Sequence, residues 1–246
     1  MSTKRVIKSK LKKTQPLMKD PFVSRYIPKT YEYNHMNLKT MVTKFPCVYI
    51  KPDSGSKGIG VVRIKDVDGF KYELSYAKVR TVLSYNEVLK KLDTKLDANK
   101  KYVIQQGIDM ATYERCPFDI RVVLQKVKDR WQLSLMSAKV ATDENAVVTN
   151  ISRGNREFSL ETVLKKNDQR LDPLYTLRHL IDISHQIASI LGSKYSMSIL
   201  GLDMAVDKRG NIWFIEANTR PQCSTLSRVN DDLSYQKYLE AKRGNS

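Results

Sequence analysis

The segment "GLDMAVDKRGNIWFIEANTRPQ", residues 201–222, decides how the rest of the chain is read. Two apolar runs flank a Gly210-Asn211 tip, the signature of an antiparallel hairpin. On its second strand Glu216 and Asn218 are two apart and so share a face. With Asp203 across from them, two carboxylates and an amide oxygen converge, a hard-oxygen set that suits Mg²⁺. A solvated strand face shows the same alternation, so the hairpin alone leaves both readings open.

A second stretch, "IKPDSGSKGIGVVRI" (residues 50–64), is a strand that breaks into a glycine-bearing loop and resumes as a strand. Gly55, Gly58 and Gly60 give the order G-x-x-G-x-G, which is neither the dinucleotide fingerprint nor a Walker loop. The run that follows contains Asp68-Gly69, a dipeptide that favours a tight hairpin turn. A glycine loop between antiparallel strands can close over phosphates through its backbone N–H groups, with Lys51 and Lys57 as cations. It can equally be an ordinary hairpin loop. Taken together, the two hairpins supply the two halves of a Mg-nucleotide site.

Composition narrows the classes. The chain has 246 residues, 41% of them hydrophobic, with 43 Lys plus Arg against 26 Asp plus Glu and a formal net charge of +17. That balance points to anionic partners without choosing among nucleotides, acidic peptides, nucleic acid and a membrane surface. Cys47, Cys116 and Cys223 show neither zinc nor disulfide spacing, which fits a reduced setting. The basic N-terminus lacks the apolar run of a signal peptide, and no stretch approaches the ~18 apolar residues of a membrane span. A soluble, cytoplasmic protein without membrane contact is expected.

Along the chain, residues 1–30 are rich in Lys and Arg with one acid, Asp20, and read as a solvated helix face or a basic arm. A turn at Pro28 and Thr30 leads to a helix over 37–44 and the strand "CVYIKP". Ser84 and Glu87 form a capping box for a helix with Val88, Leu89, Leu92 and Leu96 on one side. "YVIQQGIDM" reads as a strand, "FDIRVVLQKVKDRWQLSLMSAKVA" as two strands about Lys128-Asp129-Arg130, and 142–156 as a loop. Helices follow near 159–166 and 173–192, the second ending at Gly192. Antiparallel strand pairs alternating with helices make this an α+β fold rather than a doubly wound one.

With these motifs in order, the chain resembles the ATP-grasp superfamily, and within it the YheC/YheD group of endospore coat-associated proteins. The resemblance runs from about Lys10 to Gln222. It rests on "YIPKT" (26–30), "FPCVYIKPDSGSKGIGVVRI" (45–64), "YVIQQGI" (102–108), "FDIRVVLQK" (118–126), "TNISRGN" (149–155) and the last hairpin. It implies an ATP-grasp fold, with two α+β subdomains clasping Mg-ATP between antiparallel sheets. The expected divisions are a basic helical segment over 1–44, a small subdomain with the glycine flap over 45–108, and a large subdomain with the metal hairpin over 109–246. Carried over by position, Lys51 meets the phosphates and adenine. The backbone amides of Ser54, Gly55, Ser56, Lys57, Gly58 and Ile59 cover the phosphates, and Lys10 adds a second charge, with Lys12 and Lys13 as alternatives. Gln105, Gln106 and Ile108 read the base and Asp109 the ribose, although a glutamine stands where a glutamate is common. Arg121, Lys139, Asn150 and Arg153 surround the transferred phosphoryl group and the acceptor. Asp203, Glu216 and Asn218 hold two Mg²⁺, with Mn²⁺ as an alternative. For Arg121 a purely structural ion pair with Asp119 or Glu114 is the competing reading.

The implied activity is an ADP-forming ATP-dependent carboxylate–amine ligase working through an acyl phosphate. Roughly 45 residues precede the Lys51 strand, too few for the usual additional domain of ~100 residues. The carboxylate or amine is therefore expected on a peptide or protein, or a homo-oligomer or partner chain completes the site. The alternatives are a non-catalytic nucleotide-binding, spore-associated scaffold and a nucleic-acid binder using the basic arm. His35, His179, His185 and the cysteines lack catalytic spacing and are expected to be structural.

Overall fold

A computed structural model describes residues 7–149, 154 and 156–244. The chain divides into two compact units, one formed by Pro28–Ile108 with Lys8–Leu11, the other by Lys12–Ile27 and the described residues from Asp109 onward.

In the first unit the strands β1 (Thr30–Glu32), β2 (Cys47–Pro52), β3 (Val62–Asp66), β4 (Lys71–Tyr76), β5 (Val79–Ser84) and β6 (Tyr102–Gln106) form one sheet in the order β1-β6-β2-β3-β4-β5. Every pairing is antiparallel. Two helices, α2 (His35–Lys44) and α3 (Tyr85–Lys95), supply Leu38, Met41, Val88 and Leu92 to a core with Val48, Ile50, Ile64 and Ile104. The caps are local. Asn34 Oδ1 accepts from Asn37 N at 2.7 Å, and Ser84 N donates to Glu87 Oε2 at 2.8 Å, closing the expected capping box. At the β3–β4 turn Asp68 Oδ1 accepts from Phe70 N and Lys71 N, with Gly69 at φ +83°. The sequence signals missed β1 and β5. Both are edge strands: β1 has three residues, and β5 is exposed along most of its length, so neither carries the one-faced alternation that marks a half-buried strand.

The second unit is built on a sheet of β8 (Cys116–Val127), β9 (Arg130–Val140), β10 (Arg156–Phe158), β11 (Ile199–Val206) and β12 (Ile212–Asn218) in the order β10-β9-β8-β11-β12, with β7 (Thr112–Tyr113) pairing beside β8. Its helices are α4 (Leu160–Lys165), α5 (Pro173–Lys194) and α6 (Asp232–Gly244), with the larger part of α1 (Lys10–Lys19). One sheet face buries Phe118, Ile120, Val122, Ala138, Leu202, Met204 and Phe214 against Leu180, Ile187 and Leu191 of α5. On the opposite face Val123 and Leu135 pack with Cys223, Leu226 and Tyr238. Asp172 caps α5 by accepting from Tyr175 N, with Pro173 in the first turn.

Two sequence expectations need correction here, and one element is new. Gly192 does not end α5, which runs on to Lys194. A Cβ at Gly192 would lie 2.7 Å from Trp131 Nε1, so this glycine makes room for an indole inside the helix. The expected 142–156 loop gives way at Arg156 to β10. A C-terminal helix, α6, was not anticipated. The β8–β9 turn holds Lys128 and Asp129 at φ 48° and 61°, the conformation of a tight two-residue hairpin turn adopted without glycine.

Candidate active site

The polar face of the larger sheet is set by register. Asp203 lies directly across from Glu216 on one side and from Arg121 on the other. Arg121 faces Ser137, and Asp119 faces Lys139. Strand alternation then puts Asp119, Arg121, Ser137, Lys139 and Asp203 on the face away from the α5 core. Glu216 reaches the same face through an irregularity. Met204 pairs with Phe214 while Asp203 pairs with Glu216, so Ile215 is an extra residue. In a regular strand Glu216, two residues after the fully buried Phe214, would share its core face.

These side chains form a continuous charge network. Arg121 Nε donates to Asp203 Oδ1 at 2.8 Å and its Nη2 to Oδ2 at 3.3 Å. Lys139 Nζ donates to Asp203 Oδ1 at 3.0 Å and to Asp119 Oδ2 at 2.8 Å, and Asn218 Nδ2 donates to Asp203 Oδ2 at 3.2 Å. Lys13, from α1, is buried and donates to the Ala217 carbonyl, between the two strand residues Glu216 and Asn218. The ion pair anticipated for Arg121 with Asp119 or Glu114 is not formed. Direct cross-strand register gives Arg121 to Asp203, while Asp119 goes to Lys139 and Glu114 to Arg156.

Burial by itself would push the Asp203 carboxyl up, but the Arg121 and Lys139 cations outweigh it and bring it down to about 2. Asp119 moves the opposite way: burial pushes it up to about 6, with Lys139 opposing and the Asp203 charge assisting. For Lys139 burial favours the neutral amine, yet the two carboxylates raise the ammonium above its ordinary value. The cluster therefore holds Asp203 ionised well below the usual carboxylate range beside a carboxylate whose proton is retained longer than usual.

Asp203, Glu216 and Asn218 offer carboxylate and amide oxygens on adjacent strands, the donor chemistry that Mg²⁺ prefers. Among the described residues no group of three His, Cys, Asp or Glu side chains forms a metal cluster, so Asn218 is needed to complete such a set. Asp203 enters it already bound to two cations.

In the smaller unit Lys51 Nζ donates to Gln105 Oε1 at 2.6 Å, and Gln105 Nε2 donates to Thr30 Oγ1 at 3.1 Å. Both ends of the Gln105 amide, expected from the sequence to meet adenine, are thus engaged within the unit, and the side chain acts on Lys51. Gln106 is tied to Lys29 by a backbone and a side-chain hydrogen bond: its N–H donates to Lys29 O and its Oε1 accepts from Lys29 N. Ile108 is half-buried just beyond. Gly107 N donates to Cys47 O, and a Cβ there would strike Cys47 at 2.8 Å. In the glycine loop Ser54, Gly55, Ser56, Lys57 and Ile59 are exposed, and Lys57, Gly58 and Gly60 have φ of 61°, 64° and 74°. Lys10 Nζ donates to Gly55 O at 2.9 Å, while Asp53 caps the start of α1 by accepting from Leu11 N at 2.8 Å. Lys10 thus contacts the loop, whereas Lys13 lies on the β12 carbonyl.

Asp109 is exposed and paired with Lys208 at 2.8 Å. Asn150 and Arg153 lie outside the described residues. His35 pairs with Asp93 and His179 with Tyr26, both as supports within their units. Sequence reasoning did not single out Thr30, Ser137 or Glu157 for the site. Only Ser137 could have been found by alternation from Lys139, because Thr30 and Glu157 sit on strands that carry no strand signal.

The fold and this face together define the ATP-grasp class. The YheC/D like ATP-grasp family matches residues 2–242, and the chain belongs to it. It is 27% identical over 241 residues to the endospore coat-associated protein YheD of Bacillus subtilis (strain 168), covering 92% of this chain and 52% of that protein. It is 22% identical over 228 residues to YheC of the same organism, covering 90% and 62%. The chain therefore spans only between half and two thirds of these curated relatives. The crystal structure of L-amino acid ligase from Bacillus licheniformis matches with a TM-score of 0.51 and 15% identity, over 89% of this chain and 42% of that one. At that identity the likeness establishes the ATP-grasp fold alone. Among the described residues no helix is long and apolar enough to cross a membrane.

Proposed function

We propose that the chain is an ADP-forming ATP-dependent ligase that joins a carboxylate to an amine. The observation that carries this reading is the row of Arg121, Lys139, Asp203, Glu216 and Asn218 on one sheet face, held in register by β8, β9, β11 and β12. In the first step a substrate carboxylate oxygen attacks the γ-phosphorus of ATP, the bond to the bridging oxygen breaks, and ADP leaves with the electron pair. In the second an amine nitrogen attacks the acyl carbon and phosphate leaves. Both reactants of the first step are anions, so positive charge in a low-dielectric setting is what the site has to provide.

The half-buried Arg121 and the buried Lys139 are cations suited to that task. Asp203, Glu216 and Asn218 would hold Mg²⁺, which when bound neutralises phosphate charge as a Lewis acid. Lys51, Lys10 and the Gly55–Gly60 loop would serve the phosphates, with Arg153 and Asn150 in supporting roles; Gln106, Ile108 and Asp109 would serve the nucleoside. Gln105 would orient Lys51. A cytoplasmic site of action, with association with the spore as the relatives' names suggest, and an acceptor carried on a peptide or protein belong to the same proposal.

The test is ADP release from Mg-ATP across pools of carboxylates, amines and peptides, with Glu216→Ala as the blank. Substrate-dependent release by the wild type and none by the variant is expected. Equal release by both would overturn the mechanism.

A further inference from the structure

Among the described residues, two carboxylate oxygens on the polar face of the larger sheet receive no hydrogen bond. Asp119, Lys139 and Glu157 stand in one cross-strand row, with Lys139 opposite Asp119 on β8 and opposite Glu157 on β10. Asp119 Oδ2 accepts from Lys139, and Glu157 Oε1 accepts from Ser137 Oγ at 2.7 Å. Asp119 Oδ1 and Glu157 Oε2 are buried and have no partner among the described residues. The Asp119 side chain is only 7% exposed. An unsatisfied buried acceptor is destabilising, and more so when it is ionised, so two in one row call for an occupant.

The chemistry of that occupant follows from the atoms offered. Both oxygens are acceptors, so the ligand must donate. The row holds two carboxylates against one ammonium, and Lys139 is shared with Asp203, so the ligand should be cationic. A metal ion would find only these two free oxygens, since among the described residues no three His, Cys, Asp or Glu side chains gather as ligands. A primary ammonium, with three N–H donors and a single charge, matches in number and sign. The backbone positions of Asp119 and Glu157 are two strand spacings apart, ~10 Å, with Lys139 between them, enough room for side chains to close on a small group.

We propose that Asp119 Oδ1 and Glu157 Oε2 bind the ammonium of a primary amine on the β8–β9–β10 face. Naming that amine as the acceptor of the ligation rests on the function proposed above, whereas the amine site itself does not. Asp119 and Glu157 would then select among acceptors by charge, and neutral or anionic nucleophiles would gain nothing from the pair.

The test uses the full chain and n-propylammonium chloride as probe, with tetramethylammonium as a cation lacking N–H donors and propionamide as a neutral control. Melting temperature and the ¹³C carboxyl resonances of labelled protein are followed in Mg²⁺-free buffer. Saturable stabilisation and shifts of the Asp119 and Glu157 signals are expected with propylammonium alone. Glu157→Gln and Asp119→Asn should each weaken it by at least ~10-fold, the loss of one charged hydrogen bond. Cooperative melting of each variant without ligand shows that it is folded, and Glu157→Gln, at the edge strand, carries the test if Asp119→Asn does not fold. Equal responses from wild type and Glu157→Gln would overturn the site, as would a response of the same two carboxylates to Mg²⁺ but not to propylammonium. ADP release by the wild type from Mg-ATP with the same pools of carboxylates and with hydroxylamine, an uncharged nucleophile that takes the acyl group, separates the two proposals. If propylammonium binds but no ADP appears, the ligase reading falls and the amine site stands. If ADP appears and propylammonium does not bind, the amine site falls alone.

Discussion

Arg121 and Asp203 face each other across β8 and β11 and are joined by two hydrogen bonds, with Nε 2.8 Å from Oδ1. Side-chain exposure is 16% and 14%, so the pair is shielded from water, and Lys139 makes it a triad. Breaking such a pair from one side leaves buried charge behind. Asp203→Ala, which strands Arg121 and deprives Lys139 of one carboxylate, is expected to lower unfolding free energy by ~3–5 kcal/mol. Urea denaturation measures it. In the double variant Asp203→Leu with Arg121→Met the loss should be clearly smaller than the sum of the single losses, because no unpaired charge remains at that pair.

The pH dependence of stability should carry the mark of Asp119. Burial raises its carboxyl to about 6 from an ordinary 3.8. The folded state thus holds this proton more tightly than the unfolded chain, so the contribution is full below pH 3.8 and is lost as pH rises through about 6. Asp203, lowered to about 2, acts with the opposite sign: its contribution is present above pH 3.8 and lost as pH falls towards 2. Urea midpoints for wild type and Asp119→Asn should therefore converge or diverge across the window from 3.8 to 6, with wild type losing stability relative to the variant as pH rises. Parallel curves would contradict the shift.

Lys51 and Gln105 should behave as one element in nucleotide binding. Lys51→Ala is expected to weaken Mg-ATP binding by ~10-fold or more, the size of a charged hydrogen bond, in titration calorimetry. Gln105→Ala should produce part of the same loss by releasing Lys51 from its 2.6 Å contact, and the double variant should fall short of additivity. Independent, additive effects would separate the two residues.

Gly192 offers a test of packing against propensity. In an exposed helix interior Gly→Ala stabilises by ~1 kcal/mol. At this position the new methyl would meet Trp131 Nε1 at 2.7 Å and Cζ2 at 2.8 Å. Gly192→Ala should instead destabilise by ~1–3 kcal/mol, with altered tryptophan fluorescence. A stabilised variant would show that the indole moves aside readily.

Long one-faced or core-forming segments were legible in the primary structure: β2, β6, the β8–β9 and β11–β12 hairpins, α3 and α5 all carry their own period and punctuation. So were the chemical types of the candidate site, because Asp203, Glu216 and Asn218 stand in a hairpin whose tip is written in Gly210-Asn211. Short or edge elements such as β1, β5 and β10 were not, since their neighbours rather than their own residues stabilise them.

The order of strands and the partners of charges belong to the tertiary structure. Arg121 could have paired with several acids by proximity in the chain, and only the β8–β11 register gives it Asp203, 82 residues away. Glu216 joins that face because Ile215 is inserted opposite Asp203 and Met204, a shift that simple alternation does not announce. Glu157 comes level with Lys139 only when β10 pairs with β9. Local sequence carries periodicity and turn chemistry because those act between near neighbours. Register between distant strands emerges when whole faces are buried together, and it is there that the charges of this site acquire their partners.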